Sequence, residues 1–155
     1  MKITSLLLLL TLVFSNLGAQ SAKEEVDFMQ SVFGMEKKAL VAEFVRPDAA
    51  QKDAFWQLYD EYETARKALG KTRIELLLKY EENFDNLSNE IAAGLLKEVL
   101  ALTKKNDKLL ASYVKKVAKA KDPVVSMHFH QIEMYVMSEI RLALSDGLPF
   151  PEPIN

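Results

Sequence analysis

Apolar residues recur at steps of three and four through Ala54–Phe84. Phe55, Leu58, Tyr59, Tyr62, Ala65, Leu69, Leu76, Leu77, Tyr80 and Phe84 fall on one stripe at about 100° per residue. Strict alternation is absent, so the pattern predicts a helix and not a strand. An aromatic-rich stripe of this size is not satisfied by one helix in water, so the helix is expected to pack lengthwise against others.

The flanking stretches carry the same period. Gln20–Val45 is expected to be mostly helical, with Val26, Met29, Val32, Phe33, Leu40 and Phe44 on its apolar side. Gly34 weakens its middle by about 1 kcal/mol relative to Ala, a point of possible interruption. Arg46-Pro47-Asp48 is the first boundary, because Pro47 disfavours helix at Arg46 and Asp48 is a suitable N-cap. The central helix then runs to about Asp85, with Gly70 a candidate bend. Asp85–Ser88 is the second boundary, with Ser88 as N-cap. The third helix runs from Asn89 to about Lys119 on a stripe of Ala92, Leu95, Leu96, Val99, Leu102, Leu109, Leu110, Tyr113, Val114 and Val117. Asn106 interrupts that stripe, where a polar residue can fix the register of neighbouring helices. Lys121-Asp122-Pro123 supplies an N-cap and a first helical residue. The last helix then runs to about Ser145, with Gly147 as its stop and Pro149 beyond. The expected fold is all-α, with four main helices, two of them long and central, forming an elongated bundle or an open cradle. The expected core contains Phe55, Tyr59, Tyr62, Leu69, Leu76, Tyr80, Phe129, Ile132 and Val136.

Composition adds a destination. In the chain of 155 residues, Met1–Ala19 has the form of a secretory signal peptide: Lys2, an apolar run over Ile3–Phe14, and Gly18-Ala19 before Gln20. The run is shorter than the roughly 20 apolar residues a spanning helix needs. Cleavage leaves Gln20–Asn155 as one all-α domain with a short Pro-rich tail. A retained anchor is the alternative. There is no cysteine, which removes lipid attachment, disulfides and thiolate chemistry. The signal shape points to export into a bacterial periplasm.

Charge is unevenly placed. Asn89–Lys121 holds eight Lys against Glu90, Glu98 and Asp107, a net +5, in a chain whose formal net charge is −2. On a helical wheel Lys97, Lys104, Lys108, Lys115 and Lys119 form a ridge opposite the apolar stripe. Such a ridge is a solvated face or an electrostatic landing surface for acidic or unfolded chains. Nucleic acid is not an expected partner, since the remainder is acidic and Arg is scarce. Arg66 and Arg73 lie within the central apolar stripe, where a guanidinium must meet carboxylates or carry its head to water. In the last helix Val125, Phe129, Ile132, Val136, Ile140 and Ala143 form a core stripe. Met127, His130, Met134 and Met137 lie roughly opposite. That second row fits burial against a neighbour, an adaptable thioether surface for varied partners, or soft ligation of a transition metal by His130, Met134 and Met137. No thiol nucleophile, His-Glu-x-x-His or Gly-rich phosphate loop occurs, so neither an enzyme nor a resident cofactor is expected.

Two stretches, FWQLYDEYETARKALGKTRIELLLKY at Phe55–Tyr80 and HFHQIEMYVMSEIRLALSDGLPF at His128–Phe150, carry a family likeness. With the signal segment and the helix between them, the chain resembles the Spy/CpxP-like group of small periplasmic helical proteins. Leu87-Ser88-Asn89-Glu90-Ile91 stands where that group has Leu-Thr-x-x-Gln. The resemblance implies an ATP-independent chaperone or envelope-stress regulator built as a cradle-shaped homodimer. Its partners would be unfolded or partly folded envelope proteins. The client-contacting residues read from charge and thioether placement are Lys97, Lys104, Lys108, Lys115, Lys119, Met127, Met134 and Met137. The alternative is a ligand- or metal-responsive sensor that signals through a membrane partner.

Overall fold

The computed structural model describes residues 36–120, 123–146 and 148–149. The expectations for the signal segment, the helix over 20–35 with Gly34, the Asp122 cap, the Gly147 stop and the tail after Pro149 lie outside the described residues. The fold is all-α, an elongated bundle of four helices: α1 over 36–44, α2 over Lys52–Asn83, α3 over Asn89–Ala120 and α4 over Pro123–Asp146. A 3-10 turn at Phe84–Asn86 follows α2. The two central helices have 32 residues each, about 48 Å at 1.5 Å per residue.

The boundaries follow local chemistry. The last turn of α1 closes with Val45 N donating to Val41 O at 2.8 Å, and Pro47 prevents its continuation. The N-cap of α2 is Gln51, whose side chain makes no capping bond. Asp48, expected as the cap, instead gives its carbonyl oxygen to Gln51 N at 2.8 Å. A tight turn therefore separates Asp48 from the helix. Gly70 is accommodated within a continuous α2. Ser88 acts as expected: its Oγ accepts from Ile91 N at 3.2 Å, and its carbonyl accepts from Ala92 N at 2.9 Å. Asn106 does not reach a neighbouring helix. Its Nδ2 donates to Leu102 O of its own helix at 3.0 Å, so the inter-helix register is set elsewhere.

Lys79–Glu98 at 3.1 Å and Lys116–Glu61 at 4.0 Å fix α2 and α3 as antiparallel. Ser126 Oγ donates to Val114 O at 2.7 Å, joining α3 and α4 near their connection. Tyr62 to Glu133 and Tyr80 to Pro149 place α4 parallel to α2.

The main core brings together Val41 and Val45 of α1, Phe55, Tyr59 and Tyr62 of α2, Val117 of α3, and Val125, Phe129, Ile132 and Val136 of α4. Phe129 is its centre, edge-on to Phe55 at 6.0 Å and to Tyr62 at 5.4 Å between ring centroids. Such edge-to-face pairs add about 0.5–1.5 kcal/mol each beyond area burial. A smaller cluster lies further along α2 and α3, where Leu76, Leu95 and Leu102 are buried. Leu69 and Tyr80, expected in the core, are half-buried and pack against this second cluster. They sit beyond the level of the described part of α1, where the enclosing apolar surface is thinner.

Candidate partner-binding surface

The interior contains charge. Lys37 of α1, Glu63 and Arg66 of α2 and Glu133 of α4 are all buried. Lys37 Nζ contacts Glu63 Oε1 and stands 2.7 Å from Glu133 Oε1. The second approach has poor hydrogen-bond geometry, leaving Glu133 Oε1 in Coulombic contact only. Arg66 grips Glu63 with two prongs, Nε to Oε1 at 2.7 Å and Nη2 to Oε2 at 3.2 Å. Tyr62 Oη donates to Glu133 Oε2 at 2.8 Å. The ammonium of Lys37 also lies over the rings of Tyr59 and Tyr62, 5.4 and 5.2 Å from their centroids. Two cations thus meet two carboxyl groups, so no buried charge is left without an opposite partner.

The two carboxyl groups are driven apart. Burial raises Glu63, but Lys37 and Arg66 together outweigh it and hold the group below the usual range. Burial is the largest influence on Glu133 and pushes it up, with Lys37 opposing. Burial, followed by the neighbouring glutamates, pushes the Tyr59 and Tyr62 phenols up as well. This cluster ties three helices together. The expected pairing of Arg66 with a carboxylate is found here, but the sequence reading missed Lys37, Glu63 and Glu133 as the rest of the cluster, although the signal was present. Lys37 is one turn from Val41, Glu63 one turn from Tyr59, and Glu133 one turn from Phe129, so each charge occupies an apolar-stripe position.

The accessible candidate site lies on the outside of α3 and α4. The contact between Val114 and Ser126 marks the seam. Leu96 is 18 residues from Val114, five whole turns, so it shares that azimuth. Leu100 lies about 40° further outward, followed by Lys104 at about 80°, Lys97 and Lys115 at about 100°, Lys108 at about 120° and Lys119 at about 140°. All five lysines are exposed. On α4, Met134 and Met127 lie about 80° and 100° outward of Ser126. The antiparallel register sets Met134 level with Asn106 and Met127 level with Tyr113. Leu96 is 58%, Leu100 60%, Met127 60% and Met134 43% exposed. The lysine ridge and the methionine row therefore turn to the same outer side.

Several expectations change here. Leu96 and Val99, read as core-stripe residues, are exposed. The buried members Leu95, Leu102 and Val117 lie about 60–120° inward of Val114, with Leu96 at the outer margin of the stripe. Met137 does not join the exposed row. It is half-buried, with Sδ 4.0 Å from Arg66 Nη1. His130 is exposed, as is Met134, whereas Met137 is half-buried beside Arg66. Among the described residues no group of three or more His, Asp or Glu side chains has metal-binding geometry.

A second concavity lies between α1 and α4. This open groove of about 740 Å³ is lined by Leu40, Glu43, Phe44, His128, Gln131, Ile132 and Tyr135. Phe44 and Tyr135 expose about half of their surface there. Among the described residues no helix is long and apolar enough to cross a membrane. Comparisons with family models, curated proteins and solved structures find no match.

Proposed function

We propose that this protein is an exported, ATP-independent holdase that binds unfolded or partly folded polypeptides on the outer face of α3 and α4. One observation carries the reading: Leu96, Leu100, Met127 and Met134 expose large apolar surface beside the five-lysine ridge. Exposed apolar area rimmed by charge suits protein association. Unbranched thioethers adapt to different partner surfaces. Lysines accelerate encounter with acidic chains, and apolar contact then sets the residence time. The secretory form of Met1–Ala19 supports a periplasmic setting, and the Spy/CpxP-like resemblance of Phe55–Tyr80 and His128–Phe150 supports the same class of activity.

The test is suppression of aggregation of an acidic client by the mature chain. Capture is expected to slow with added salt, because the Debye length falls from about 10 Å at 0.1 M to about 3 Å at 1 M. Lys104→Gln, Lys108→Gln and Lys115→Gln together should slow capture. Met127→Ser with Met134→Ser should hasten release. An absence of suppression at several-fold molar excess overturns the proposal.

A further inference from the structure

Past the Lys37 cluster, α2 and α4 face each other with two further arginines. Arg66 Nη1 reaches Met137 Sδ at 4.0 Å, and Tyr80 Oη donates to Pro149 O at 3.4 Å. Between these two ties α2 and α4 run side by side. Arg73 follows Arg66 by seven residues, two turns on the same side of α2, and Arg141 follows Met137 by one turn of α4. The ties are 71 and 69 residues apart in sequence. That register puts Arg73 and Arg141 within a turn of each other along the axis. Both are half-buried. Arg73 Nε is shielded from solvent and has no hydrogen-bond partner, and no ion pair reaches Arg73 or Arg141 among the described residues. Burial and the Arg141 charge both hold the Arg73 guanidinium below its ordinary value, consistent with two neighbouring cations lacking a counter-charge.

The contrast with Arg66 is informative. Arg66 is at least as buried, yet Glu63 grips it with two prongs. Glu63 stands three residues before Arg66, and the equivalent position before Arg73 is Gly70 rather than an acid. Within one turn of the two arginines along their own helices stand the half-buried apolar residues Leu69, Leu77, Met137, Ile140 and Leu144. A shielded donor with no partner is costly, and a planar guanidinium fork matches a carboxylate.

We propose that Arg73 and Arg141 form a receptor for a carboxylate carried on an apolar body. The carboxylate sits between the two guanidinium groups, and its carbon skeleton lies along Leu69, Met137 and Leu144. This site is separate from the outer face of α3 and α4 and does not depend on the holdase reading. Two sources supply the same chemistry, an acyl acid and the free C-terminus of an apolar peptide.

The test uses the full mature chain with dodecanoate, a hexapeptide ending in apolar residues with a free carboxylate, and the uncharged counterparts dodecanol and the peptide amide. Calorimetry and thermal melting are the readouts. At least one acid should bind and raise Tm, its uncharged counterpart should not, and the acid that binds identifies the source. Arg73→Gln and Arg141→Gln should each weaken binding at least about tenfold, while Lys104→Gln leaves it unchanged. Without ligand, Arg73→Gln should raise Tm, because it removes an unpaired cation. Arg141→Lys keeps the charge but loses the fork, and should also weaken binding. The proposal is overturned if neither acid binds, if the uncharged counterparts bind as well, or if binding survives both glutamine variants. It is also overturned if ligand-free Arg73→Gln melts lower than wild type, since another carboxylate of this chain would then already match the pair.

Discussion

Individual buried charges dominate the energetics of the main core. Lys37 serves two carboxyl groups at once. Removing one partner from a buried ion pair leaves the other stranded. Lys37→Met is therefore expected to cost about 3–5 kcal/mol in a urea titration, despite a good fit of volume and helix propensity. The two glutamates should respond to pH with opposite signs. Glu63 lies below its unfolded value, so its contribution is present above the ordinary carboxylate range and is lost as pH falls through the folded value. Glu133 lies above its unfolded value, so its contribution is largest below that range and is lost as pH rises through the folded value. Glu63→Gln should thus fall further behind wild type as pH rises from about 3 through the ordinary carboxylate range. Glu133→Gln should gain on wild type as pH rises from that range through the raised Glu133 value. Melting curves across this interval check both slopes, and parallel pH profiles would contradict the assignment.

At the scale of elements, the helices were legible because local punctuation and periodicity agree. Pro47 and Ser88 mark real boundaries, and Phe55, Tyr59, Tyr62 and Phe129 occupy real core positions. The misplacements have a common cause. A stripe of apolar residues does not say how much of it the neighbouring helix covers. Leu96 lies at the outer margin of the α3 stripe, whereas Val99, on the same azimuth as buried Val117, sits toward the thinner end of the bundle. Lys37 and Glu133 escaped notice because each is compensated by residues distant in sequence, information that one helix cannot display; Glu63 has Arg66 three residues on, where a carboxylate partner was expected but not identified. The Asp48 cap failed because a turn intervenes before Lys52. The two apolar clusters should also differ in sensitivity. Phe129→Ala, at the centre of the aromatic group, is expected to cost about 3–5 kcal/mol. Leu69→Ala, half-buried at the thinner end, should cost less than about 2 kcal/mol, below the usual range for a fully packed leucine. Equal losses in chemical denaturation would contradict the division of the core.

At the scale of the whole molecule, the proposed holdase is a charge-tied bundle with one adhesive side. The interior network and the Phe129 cluster hold α1, α2 and α4 together, which leaves the outer α3–α4 side free to contact partners without unfolding the body. Chains held there should cross-link from that side. The most direct measurement places a photo-activatable side chain at Leu100 or Met134, and as a control at Glu75, which is exposed on α2. Each variant is illuminated with an unfolded acidic client. Strong cross-links are expected from positions 100 and 134 and weak ones from position 75. Equal labelling from all three positions, or labelling concentrated at position 75, would contradict it.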